Sequence, residues 1–153
     1  KSNVSFFLLL WVSDYFGGGD EQKITMAEQQ FAQDFVKWYY TNFNENKEEI
    51  RNVYATETLV TYQDNQITGV NRKGELNIME KILAPSLAEM TKKVVTCTAQ
   101  PSISGTVLIC VQGNCRMSAL EAEELGFFEI FLLAQTESGG FQIVNQVFST
   151  ASV

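Results

Sequence analysis

A chain of 153 residues with 45% apolar and 19% charged side chains is long enough for one folded core and too apolar to stay disordered. Its formal net charge of −7 argues against nonspecific binding to nucleic acid or an anionic membrane, which need clustered Lys and Arg, and points to a basic protein surface as partner. Histidine is absent, which removes the commonest general base, the commonest metal ligand and any Ser-His or Cys-His nucleophile pair.

The first apolar run, "VSFFLLLWV" at positions 4–12, is about half the length that spans a bilayer. Lys1 ahead of it imitates a signal peptide, yet "SDYFGGGD" offers no small-x-small cleavage site. The first methionine is Met26. Residues 1–25 are therefore expected to be an apolar, Gly-rich extension lying upstream of the native start, with the folded domain over 26–153. A hydrophobic anchor, or a helix packed on the domain, is the alternative.

From Ala27 the pattern turns helical: Phe31, Phe35, Tyr39 and Phe43 recur every four residues, with Val36 and Tyr40 beside them. "FVKWYYTNFN" holds five aromatic side chains in nine residues, and this stripe reads as the buried side of the helix, not as a stacking platform. Asn46 is placed to cap a second short helix from Lys47 to about Ala55. "TLVTYQDNQITG" reads as a hairpin with its turn at Asp64-Asn65. "RKGELNIMEKILAPSLAEM" returns to helical spacing through Leu76, Met79, Ile82 and Leu83, and Pro85 ends or bends that helix. Four long strands follow in "KKVVTCTAQ", "TVLICVQGNCRM", "GFFEIFLLAQ" and "FQIVNQVFST", rich in β-branched and aromatic residues. Three helices before long strands define an α+β domain with its helices on one face of a curved sheet. Cys97, Cys110 and Cys115 are odd in number and lack CxxC spacing, so buried free thiols are expected, with no disulfide framework and no zinc site.

In order and spacing these elements resemble the nuclear transport factor 2 family from about Phe31 to Phe148. "FVKWYYTNFN" is similar to the family's first helix, "TLVTYQDNQITG" to its first hairpin and "IMEKI" to its third helix. "AQP" at 99–101 is similar to the kink in its third strand, and "GFFEIFLL" and "NQVF" to its last two strands. The resemblance implies a cone: three helices packed on a strongly curved antiparallel sheet, enclosing a hydrophobic cavity. It also implies a homodimer through the sheet face that carries GDP-bound Ran into the nucleus and binds nucleoporin Phe-Gly repeats, moving between cytoplasm and nucleus through the nuclear pore. No catalysis and no cofactor are implied.

Trp38 does not keep to the four-residue spacing of the helical stripe and is expected to reach the mouth of the cavity. Carried over position by position, Tyr62 stands at the cavity lip and Phe148 lines the cavity. The acidic rim for Ran falls on Glu121, Glu123 and Glu124 of "ALEAEELG" and on Gln63 and Asp64, where Gln63 replaces the family's usual glutamate. Phe31 is the nearest substitute for the aromatic that helps hold Phe-Gly repeats. Two other functions stay open at this stage. One is the messenger-RNA-export branch, which forms a heterodimer with a larger receptor and needs no Ran. The other is a cavity isomerase or dehydratase, which without histidine needs a carboxylate–tyrosine pair such as Glu129 or Asp64 with Tyr62 or Tyr54.

Overall fold

A twenty-residue helix, α1 (Met26–Glu45), is started by Thr25, whose Oγ1 accepts from the Glu28 amide at 3.1 Å while Glu28 Oε2 accepts from the Thr25 amide at 2.8 Å. This reciprocal capping box is legible as T-x-x-E, and it places Thr25 with the helix, one residue before the boundary drawn from sequence. The computed structural model describes residues 25–118 and 124–151. Along α1 the buried side chains are Ala32, Phe35, Val36, Tyr39, Tyr40 and Phe43. Phe31 is only half-buried: a four-residue step overshoots a 3.6-residue turn, so a stripe of fours drifts off the core face at one end.

A short 3₁₀ helix (Glu49–Val53) stands where the second helix was expected, and it buries Ile50 and Val53. The hairpin strands β1 (Leu59–Tyr62) and β2 (Asn65–Ile67) turn through Gln63 and Asp64, one residue earlier than the sequence suggested. Gln63 takes the left-handed conformation there, φ 54°, which its amide supports by donating to the Phe148 carbonyl at 2.8 Å. Helix α2 (Asn77–Leu83) ends before Pro85, which opens a further helical turn, α3 (Pro85–Ala88), because proline is tolerated at a first helical position.

The four long strands are β3 (Thr91–Pro101), β4 (Val107–Arg116), β5 (Leu125–Gln135) and β6 (Phe141–Ala151), and the six-stranded sheet runs β2-β1-β6-β5-β4-β3. It is mixed, not wholly antiparallel: β1 lies parallel to β6, with Tyr62 opposite Phe148, and the chain between them passes through β2, two helices and the three strands β3, β4 and β5. Strand alternation turns Val107, Ile109, Val111 and Cys115 of β4 and Phe127, Phe131 and Leu133 of β5 toward the helices, where they form the core with α1. Single extra residues, Val95 on β3 and Val144 on β6, break the register and bend the sheet around the helices. Gly113 faces the first of these breaks. A side chain there would collide with the Lys93 carbonyl and the Phe127 ring, so only glycine lets that ring close the inner wall. The cysteines are free, but only Cys115 is buried. Cys97 is exposed, since β3 is an edge strand without a covering neighbour.

Candidate functional site

Register brings the lip residues together. Tyr62 and Phe148 are neighbours across β1 and β6, and their rings stack at 4.6 Å with 25° between planes. Phe127 stands 5.9 Å from Phe148 on the next strand, and the Tyr62 hydroxyl donates to the Met90 sulfur at 3.6 Å. All four side chains are buried. The lip is thus shut by its own aromatic residues, with the Lys81 ammonium 5.6 Å above the Tyr62 ring.

Beneath this lid the expected hydrophobic cavity is not wholly hydrophobic. Lys92 and Glu129 meet at 2.8 Å, with their side chains 1% and 0% exposed. Both occupy inward positions, Lys92 on β3 and Glu129 on β5 between Phe127 and Phe131. Glu129 Oε2 also accepts from the Tyr40 hydroxyl at 2.7 Å, and its Oε1 accepts from Gln146 Nε2 at 2.5 Å. Gln146 Nε2 donates as well to Tyr39 Oη at 3.1 Å, while Gln146 Oε1 accepts from the Tyr54 hydroxyl at 2.7 Å; Tyr39 and Tyr54 hydroxyls meet at 2.9 Å. The outcome is a closed polar ring inside an aromatic shell. Asn44 fixes the backbone of Lys92 from α1, donating to its carbonyl and accepting from its amide, both at 2.8 Å.

The electrostatics follow from burial. Burial pushes the Lys92 ammonium down from its ordinary value, opposed by the adjacent Glu129 carboxylate. Burial holds the Tyr39, Tyr40, Tyr54 and Tyr62 phenols above theirs, and the negative charge of Glu129 adds to each rise. A buried carboxylate that accepts from three donors of its own chain is committed to them. Of the carboxylate–tyrosine pairs open to an enzyme, Glu129 takes Tyr40 directly and reaches Tyr54 only through Gln146, and Asp64 is exposed on the hairpin turn.

The rim residues divide. Gln63 is drawn back toward β6: its Nε2 donates to Thr150 Oγ1 at 2.7 Å and its Oε1 accepts from the Thr150 amide at 3.3 Å. Asp64, the next residue in the turn, stands free in solvent. Glu124 lies at the same end of the sheet, immediately before β5, and pairs with Arg116 at 2.9 Å. Glu121 and Glu123 lie outside the described residues. Trp38 sits at the opposite end of the sheet from Tyr62 and Phe148. It packs on Phe141 at 6.3 Å, and Phe141 is seven strand positions, roughly 20 Å, from Phe148. Phe31 joins that cluster, 5.0 Å from Phe141.

Lys92 and Gln146 are the interior residues that sequence reasoning passed over. The available signal was a charge in inward phase: Lys92 alternates with Val94 as Glu129 alternates with Phe127 and Phe131. Two opposite inward charges on strands separated by one other strand are a pairing signature.

Helices packed on one face of a curved, six-stranded mixed sheet make this an α+β fold with an aromatic lip and a polar interior. Residues 31–150 match the Nuclear transport factor 2 (NTF2) domain, and the chain belongs to that family. It is 25% identical over 126 residues to Nuclear transport factor 2 of Candida glabrata, covering 82% of this chain and 95% of that protein. It is 28% identical over 121 residues to Nuclear transport factor 2 of Emericella nidulans, covering 78% of this chain and 92% of that protein. The structure of nuclear transport factor 2 from Cryptosporidium parvum superposes with a TM-score of 0.72 at 24% identity, covering 84% of this chain and 98% of that one.

Proposed function

We propose that this chain is a nucleocytoplasmic transport factor that binds GDP-bound Ran at the mouth of the cone and nucleoporin Phe-Gly repeats on its outside. The observation that carries this reading is similarity to proteins named Nuclear transport factor 2 over nearly their whole length. The charge distribution supports it: Asp64 is exposed at the mouth of a protein whose formal net charge is −7, as suits a basic partner surface, while Glu124 at the same end is paired with Arg116. Phe31, half-buried with Trp38 against Phe141, offers aromatic surface for a Phe-Gly segment. The chain works as a homodimer in cytoplasm and nucleus. Phe128, Val144 and Val147 are exposed on the outer sheet face beside half-buried Leu108, Ile130 and Leu132, an apolar strip suited to a second copy. No catalysis belongs to this reading, since Glu129 is neutralised by Lys92.

One observation favours a second reading. The Gln63 carboxamide is bound to β6 and contributes no charge, as suits an export-type relative that pairs with a larger receptor and needs no Ran. Calorimetric titration of the full chain into Ran loaded with GDP, and separately with a GTP analogue, decides between them. Saturable binding to the GDP form alone is expected, weakened about tenfold by Asp64→Asn, as loss of one contact worth about 1.4 kcal/mol requires. Binding to neither form overturns the carrier reading and moves the assignment to the heterodimer.

A further inference from the structure

The Lys92 ammonium is surrounded in a way that ion pairing alone does not explain. Its Nζ lies 3.9 Å from the Phe148 ring centroid, 4.4 Å from Phe43, 5.6 Å from Phe127 and 5.9 Å from Tyr40. Four ring systems from α1, β5 and β6 therefore close on one cation, with the Glu129 carboxylate 2.8 Å away as its counter-ion. Aromatic faces attract a cation through their quadrupole, most strongly where water is excluded, and here both charged side chains are within 1% of complete burial. Rings and a carboxylate around an ammonium are the parts from which proteins build receptors for organic cations.

The rest of the interior is arranged to hold that receptor in shape. Glu129 is fixed by Tyr40 and Gln146, and Gln146 in turn by Tyr39 and Tyr54. Gly113 leaves room for the Phe127 wall, and Asn44 holds the Lys92 backbone at both its amide and its carbonyl. We infer that the interior of the cone is a binding cage for a primary alkylammonium, and that its resident ligand is the chain's own Lys92 side chain. The inference does not depend on the transport reading.

Vacating the cage tests this. Lys92→Ala removes the atoms from Cγ to Nζ, which together are propylammonium, so the variant should bind that ion added from solution. Propylammonium at ten times its Kd is expected to raise the melting midpoint of Lys92→Ala by about 4–7 °C and to leave the wild type unmoved. The neutral counterpart 1-propanol should not match it, and Glu129→Gln in the Lys92→Ala background should abolish the difference. Equal responses of variant and wild type, or of amine and alcohol, overturn the inference. Should Lys92→Ala not fold alone, it is refolded with and without propylammonium: recovery only with the amine upholds the cage, and failure in both refutes it.

Discussion

Cutting the interior ion pair from one side should cost far more than cutting it from both. Lys92→Met keeps an apolar stem against Phe43 and Phe148 but leaves Glu129 buried with Tyr40 and Gln146 as its remaining donors. Glu129→Leu is the harsher change. It leaves a buried ammonium facing only rings and also strands the Tyr40 hydroxyl, whose acceptor in the structure is Glu129. Removing one member of a buried pair costs about 3–5 kcal/mol, so Lys92→Met belongs near the lower figure and Glu129→Leu near the upper. The double variant buries no charge; it leaves the Tyr40 hydroxyl and one Gln146 bond unsatisfied and should lie within about 2 kcal/mol of wild type. Urea unfolding at pH 7 measures all four proteins, with the slope m checked for constancy. Against a whole-domain stability of about 5–15 kcal/mol, the single variants move the midpoint well beyond error. Single variants each within about 1 kcal/mol of wild type, or a double variant that loses the sum of the two singles, would refute a coupled buried pair.

Two further outcomes follow from the same geometry. Burial keeps Tyr39, Tyr40 and Tyr54 from ionising in the folded protein, while in the unfolded chain they ionise near pH 10. Phenols raised on folding contribute stability that is complete below pH 10 and lost above it, about 1.4 kcal/mol each at pH 11 and roughly 4 kcal/mol for the three. Absorbance at 295 nm should therefore rise together with loss of the circular-dichroism signal; normal titration of all phenols in a folded protein would contradict the buried network. The outer sheet face is tested by Phe128→Glu with Val147→Glu, two exposed positions whose change leaves the core intact. Sedimentation should convert a dimer of the full chain to monomer without loss of folded signal, and an unchanged dimer would place the interface elsewhere.

Most elements, and through them the family, are legible in residue order. Alternation in "GFFEIFLL" dictates which side of β5 is core, and helical spacing through Phe35, Tyr39 and Phe43 dictates which side of α1 meets it, because periods of two and 3.6 are properties of the backbone. Local chemistry also wrote the capping box at Thr25 and the hairpin around Asp64. The turn was misplaced by one residue because Gln63 adopts a left-handed conformation that glycine or asparagine would ordinarily announce. Other features arise only when the strands assemble. That β1 lies parallel to β6, that Trp38 stands with Phe141 far from Phe148, and that Gln63 is bound to Thr150 all depend on strand order, which no local pattern encodes. The same holds for the interior. Lys92 and Glu129 are separated by 37 positions and one intervening strand, and each alone reads as a polar interruption in an apolar run. Only the closing of the sheet around α1 brings the charges to 2.8 Å and surrounds them with rings, because a buried charge is tolerated where the fold supplies its counter-charge and every remaining hydrogen bond.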